Sequence, residues 1–305
     1  MIRFVMLIAG FLLLLIQHFI APISTQLQFI IFLTGIILLG IPHGAADLLV
    51  ATRNAADEKK IFSKIKFFVH YLGRLFLFDA IIWFFPLLGN ILFIFFAAYH
   101  FGETDLHQFN TNSFIGKLFV ISYGLLILGV ILLNHFEEMM PLFQLFDSGV
   151  QNAAFLSWLG ESRYSLLTII TVFFFATAFL YFATAKTIQP KQGLFLIQFT
   201  LILCILYHLP MMLGFSFYFI VWHSILSLKN IIGYLGRDGK YKSGVIAKQI
   251  GFYSILAMVG MSIFGLTGFM FVNNDTMIVY VFLGLAVLTA PHMQIMHDMY
   301  KSLRA

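Results

Sequence analysis

The run RFVMLIAGFLLLLIQHFIAPISTQLQFIIFLTGIILLGIPHGAADLLVA, residues 3–51, decides the fold. It holds two apolar stretches, Phe4 to Ile20 and 27–51, with a short polar break between them. Each is about as long as the 20 or so residues a helix needs to cross a bilayer. The first has the basic start of a secretory signal at Arg3, but no small-x-small cleavage site follows and a second apolar run begins almost at once. It reads as an uncleaved membrane helix.

The remainder of the chain repeats this pattern. Of 305 residues, 61% are hydrophobic and 10% charged, against about 25% charged in an ordinary soluble domain. A soluble core cannot absorb that much apolar surface, so the expected fold class is all-α, a polytopic integral membrane helical bundle. The single cysteine, Cys204, excludes an intramolecular disulfide framework and any Cys-based zinc or iron–sulfur site. The net charge of +5 lies in loops between apolar runs and not on one folded face. No nucleic-acid partner is expected; the charges instead set orientation in the lipid bilayer.

Ten candidate spans emerge: 3–21, 27–51, 66–86, 88–105, 115–134, 165–185, 193–209, 211–232, 248–272 and 276–299. With the N-terminus inside, the inner loops hold Arg3, Arg53, Lys59, Lys60, Lys64, Lys66, Lys117, Lys186, Lys191, Lys229, Arg237, Lys240, Lys242, Lys248, Lys301 and Arg304. The outer loops hold Arg163 beside Glu137, Glu138, Asp147 and Glu161, and Arg74 falls inside a span. That imbalance is what the positive-inside rule requires of a correct assignment. It predicts about ten transmembrane helices with both termini cytoplasmic, one transmembrane domain over 1–305, and an outer loop at 139–162 with a short interfacial helix anchored by Trp158. No internal repeat stands out, so the inverted-repeat signature of many transporters is not visible.

Ionisable side chains inside spans are functional candidates by default, and here they are histidines. His43 lies in Pro42-His43-Gly44-Ala45-Ala46-Asp47, His100 in Tyr99-His100-Phe101-Gly102-Glu103, His223 in Trp222-His223-Ser224, and His292 in Pro291-His292-Met293. All four fall on even-numbered spans running from outside to inside, at depths of about 18–24 Å at 1.5 Å per residue. Four imidazoles at one depth can converge on one metal; iron, zinc, copper and nickel all accept imidazole. Asp47 and Glu103 follow His43 and His100 by four and three positions, on the same helix faces, as carboxylates to orient their own or a neighbouring imidazole. Gly44 and Gly102 would let backbones approach closely, and Pro42 and Pro291 free backbone carbonyls near the site.

Plainer roles stand beside these. Any one histidine in a membrane helix is as often an interhelical hydrogen-bonding residue as a ligand. His18, His135 and His208 fall at outer helix ends and read as interfacial, His107 reads as a solvated loop residue, and His70 as a network residue near the start of the third span. The 38 phenylalanines suit a pocket for a long apolar substrate, yet most need no role beyond packing and lipid contact.

Taken in order, the segments Pro42-His43-Gly44-Ala45-Ala46-Asp47, Tyr99-His100-Phe101-Gly102-Glu103, Trp222-His223-Ser224 and Pro291-His292 resemble the Brp/Blh family of bacterial and archaeal β-carotene 15,15′-dioxygenases. The resemblance covers nearly the whole chain. It implies a non-haem iron(II) enzyme of the cell membrane, with Fe(2+) held by His43, His100, His223 and His292. That enzyme cleaves the central double bond of β-carotene with O2 into two all-trans-retinal molecules, for use by a microbial rhodopsin. It further implies a supporting shell of Asp47, Glu103 and Ser227, and substrate contacts from Trp222, Tyr99 and Phe101. Where the family's Trp-His-Ser segment is followed four residues on by a second histidine, this chain has Ser227. The fourth ligand is then His292, or His297, or another residue.

Other classes fit the same buried groups. A transporter would use the histidines, Asp47 and Glu103 as a relay; a b-type haem protein would pair them as axial ligands; an accessory protein of retinal synthesis would have no cleavage activity. Histidine-box desaturases are disfavoured because the chain has no H-x-x-x-H or H-x-x-H-H cluster.

Overall fold

The computed structural model describes residues 1–144, 153–184, 191–239, 242–269 and 277–304, and the described parts of the apolar runs are helical. Asp147, Lys186 and Lys240 lie outside the described residues. The helices are α1 (Ile2–Leu15), α2 (Thr25–Gly35), α3 (Ile41–Ala45), α4 (Asp47–Asp57), α5 (Lys64–Phe84), α6 (Pro86–Asp105) and α7 (Phe114–Leu133). They continue as α8 (Phe136–Gln144), α9 (Ala153–Thr184), α10 (Lys191–His208), α11 (Met211–Phe215), α12 (Ile225–Gly236), α13 (Ser243–Phe269) and α14 (Met277–Arg304). Wider π-helical turns interrupt three of the runs, at Ile16–Ile20, Ile36–Gly40 and Ser216–Ser224. No strand occurs among the described residues.

Among the described residues, eight runs are long and apolar enough to cross a membrane: Ile2–Ile20, Thr25–Asp57, Lys64–Phe84, Pro86–Asp105, Phe114–Leu133, Ala153–Thr184, Met211–Gly236 and Ser243–Gly260. Gly193–His208 is apolar but shorter, and Met277–Arg304 is helical. The chain is an all-helical, multi-pass membrane protein. α9 begins twelve residues ahead of the predicted span, so Trp158 sits inside it rather than in a separate interfacial helix. Glu161 and Arg163 end the apolar run, but nothing from Ala153 to Tyr164 breaks a helix. Within the expected outer segment, α8 is a short helix with Pro141 inside it.

Polar contacts tie helix ends together at both ends of the bundle. At one end, His18 bonds the His208 carbonyl, Asn134 the Tyr207 carbonyl, and Arg163 Nη1 donates to Glu137 at 2.5 Å. At the other, Arg3 reaches the Asp105 carbonyl, Arg304 reaches Thr111, Arg53 pairs with Asp238, and Arg237 with Asp57.

α7 is largely buried and packs between α6 and α9. In lipid there is no hydrophobic drive between helices, so close backbone packing carries the association. Ala98 and Gly102 on α6 face Val120 and Gly124 on α7. A Cβ on Gly102 would collide with the Val120 carbonyl, and one on Gly124 with the Ala98 carbonyl. This contact holds α6, and His100 with it, at a fixed depth.

Candidate metal centre

Local sequence sets the backbone that presents each histidine. Pro42 has no N–H to give the Leu38 carbonyl, and its ring crowds that carbonyl in a regular helix. The π-turn Ile36–Gly40 widens the helix there, and His43 emerges just after it in α3. The Leu39 and Gly40 carbonyls lie beside the His43 ring, outside strict hydrogen-bond geometry. His223 sits within the π-segment Ser216–Ser224, His100 on α6, and His292 on α14 directly after Pro291. Such π-segments are rare and concentrate at functional sites.

The four histidines meet. Ring centroids are 5.0 Å apart for His43–His292, 4.9 Å for His292–His100, 4.7 Å for His100–His223 and 5.5 Å for His223–His43. They close a cycle of four imidazoles, all buried. Ligand nitrogens of His43, His100 and His223 lie within 4.8 Å of one another. His100 Nε2 and His223 Nε2 are 3.1 Å apart. That distance suits a hydrogen bond between the rings; it also suits two ligands of one ion, since nitrogens each about 2.1 Å from a metal lie roughly 3–3.4 Å apart. His292 Nε2 is buried with no hydrogen-bond partner. The nitrogens of His43, His100 and His223 therefore fit a transition metal of the kind imidazole binds, with the His292 ring bordering that set.

Carboxylates fix part of this cycle from behind. His292 Nδ1 lies 2.7 Å from Asp47 Oδ1, and the Tyr71 hydroxyl donates to Asp47 Oδ2 at 3.1 Å. Asp47 thus holds a neighbouring imidazole rather than its own helix partner His43. Glu103 does the same with a different residue. Its Oε1 accepts from Arg304 at 2.5 Å and lies 3.0 Å from His297 Nδ1, with the Tyr99 hydroxyl 3.1 Å from that nitrogen. Glu103 shares a helix face with His100, but the guanidinium draws its carboxylate away, and His100 Nδ1 makes no hydrogen bond. His297 belongs to this second cluster and stays out of the cycle of four.

The remaining expected residues separate. Phe101 packs on His223 with centroids 4.7 Å apart. Tyr99 faces His297. Trp222 is 1% exposed and gives its indole N–H to Asp105. Ser227 is buried and its hydroxyl makes no hydrogen bond to the histidines. Gly44 has open space around it, in contrast to Gly102. His107 is not a solvated loop residue: Nδ1 bonds the Thr104 carbonyl at 2.8 Å, its ring faces Tyr300, and burial pushes its pKa down to about 4.

Three contributors escaped sequence reasoning. Phe219 stacks on His223 at 14° and meets His43 edge-on; its place four residues before His223 was the available signal. Tyr71 stands on α5, a helix that reads as lipid-facing and is largely exposed, so nothing local marks it. Asp105 lies at the end of α6, where a carboxylate normally reads as an interfacial charge.

A family model described as beta-carotene 15,15'-dioxygenase matches residues 34–300. The match spans all four histidines together with Tyr71, Asp47 and Glu103. No curated protein and no solved structure matches the chain.

Proposed function

The chain belongs to the beta-carotene 15,15'-dioxygenase family, and on that premise we propose that it cleaves the 15,15′ double bond of β-carotene with O2 to give two all-trans-retinal molecules. His43, His100, His223 and His292 hold a non-haem iron(II) for this reaction. The observation that carries the reading is the closed cycle of four buried imidazoles with neighbouring centroids 4.7–5.5 Å apart. An iron(II) ion in such an all-nitrogen site would keep open positions at which O2 is activated.

The chain's own residues do the rest. Asp47 accepts a hydrogen bond from His292 Nδ1–H, so His292 presents Nε2 to the centre. Phe101 and Phe219 wall the His223 side with ring faces and lie along a conjugated polyene without offering it a polar group. An open apolar groove of about 430 Å³ runs past Ile37, Leu38, Pro42, Leu228 and Ile250. On this reading a hydrocarbon dissolved in the bilayer approaches from that side. The protein's task is to hold the polyene so that only its central bond meets activated oxygen. The charge pattern favours both termini on the cytoplasmic side; on the family reading the membrane is that of a bacterial or archaeal cell, and retinal passes to a rhodopsin in the same bilayer.

A haem between paired histidines is disfavoured. The four rings pack edge to face at contact distance, which leaves no room for a porphyrin plane.

Expression in β-carotene-producing bacteria tests the reading. Cells should lose carotene colour and accumulate retinal, and purified protein should contain iron with no Soret band. Well-folded protein that yields no retinal rejects it.

A further inference from the structure

Asp105 stands at the C-terminal end of α6, five residues past His100, and is 2% exposed. One of its oxygens, Oδ2, accepts three hydrogen bonds: from Tyr123 Oη at 2.6 Å, Tyr218 Oη at 3.0 Å and Trp222 Nε1 at 3.0 Å. Tyr123 lies on α7. Tyr218 and Trp222 both lie in the π-segment Ser216–Ser224 that carries His223. All three rings are at most 1% exposed. Arg3 Nη2 donates to the Asp105 carbonyl at 2.9 Å, and the guanidinium sits 5.8 Å from the Trp222 ring centroid, so α1 closes over the same point.

We propose that Asp105 is a positioning residue: its carboxylate clamps the π-segment to α6 and so sets His223 against His100 at metal-ligand spacing. A π-helical segment lacks the regular i→i−4 ladder and persists where tertiary contacts hold it. Here the contacts come two from the segment and one from α7, on a single oxygen. Charge-assisted bonds to a carboxylate are roughly twice as strong as neutral ones, and a buried site strengthens them further. Tyr218 and Trp222 are four apart, nearly one π-turn, so both project to the same side of the segment. Pinning that side fixes the rotation of the segment and with it the direction of His223, the residue directly after Trp222. Asp105 itself touches no histidine.

The proposal rests on the reading of the four histidines as metal ligands, and the experiment separates the two. Co(II) is titrated into purified full-length protein in detergent, and its visible ligand-field bands are recorded. Asp105→Ala should weaken Co(II) binding by about 10–100-fold, the range for loss of a supporting contact, and shift the bands. Asp105→Asn, whose amide oxygen still accepts the three donors, should restore affinity to within a few fold of wild type. Tyr218→Phe and Trp222→Phe should each give part of the loss. Tyr123→Phe removes the bond from α7, but Tyr123 also bonds Tyr218 in the π-segment, so it should give a loss clearly smaller than that of Asp105→Ala.

An Asp105→Ala protein with wild-type affinity and spectrum overturns the clamp, as does a Tyr123→Phe loss as large as that of Asp105→Ala. If Asp105→Ala does not fold, wild-type affinity in both Tyr218→Phe and Trp222→Phe overturns it. A wild-type protein that binds no Co(II) overturns the metal centre and the clamp together.

Discussion

Asp47 Oδ1 and His292 Nδ1 lie 2.7 Å apart although 245 positions separate them in the chain. The bond joins the second helical run to the last. An acceptor on Nδ1 fixes the tautomer and raises the basicity of Nε2, which is how metal-bound imidazoles are usually supported. Asp47→Ala should lower iron affinity by about 10–100-fold, measured as iron retained per protein after dialysis against a weak chelator. Tyr71→Phe leaves the His292 contact in place and removes one bond to the carboxylate, so its loss should be smaller. Equal retention by Asp47→Ala and wild type would refute this support role.

His292 and His297 give the sharpest test of ligand identity. His292 is in contact with His43 and His100, while His297 is held by Glu103 and Tyr99. His292→Ala should lose iron and retinal formation, as should His43→Ala, His100→Ala and His223→Ala. His297→Ala should keep its iron. The reverse order for His292 and His297, read by metal analysis of the purified variants, would move the fourth ligand.

These residues differ in how visible they are in sequence. The four histidines are legible because the charge count gives each helix a direction, and direction turns position into depth. Asp47 is legible as a support because it shares a helix face with His43. Its true partner is not, because the contact is made by helix packing across the whole chain length. The π-segment around His223 is hidden for a different reason: its residues suit a 3.6-residue helix just as well, and its bonds to Asp105 come from 113 and 117 positions away. The early start of α9 is hidden because polarity marks where lipid ends, not where a helix does.

Gly124 should tolerate no side chain. Its Cα approaches the Ala98 carbonyl so closely that a methyl group has no space, and the obstacle is backbone. Gly124→Ala must push α7 from α6, at a cost of about 1–3 kcal/mol or more for overpacking. A lower Tm in detergent is expected. Gly233→Ala, a helical position with open space, is the control and should melt like wild type. A Gly124→Ala protein as stable as that control would show that the two helices are not in backbone contact.

His107 makes stability depend on pH. It lies in the loop after α6, outside the spans. Burial lowers its pKa from 6.5 to about 4, and Arg3, Lys229 and Arg304 act in the same direction. The folded protein therefore keeps the imidazole neutral, while the unfolded chain takes up a proton near pH 6.5. Stability from this residue is complete above pH 6.5 and is lost as pH falls toward 4, because the unfolded state binds more protons in that window. The loss should be about 1–3 kcal/mol across the window. His107→Gln has no titrating ring, so its Tm should fall less between pH 7 and pH 4.5 than that of the wild type. Parallel Tm profiles for the two proteins would mean that His107 is as solvated in the folded protein as in the unfolded chain.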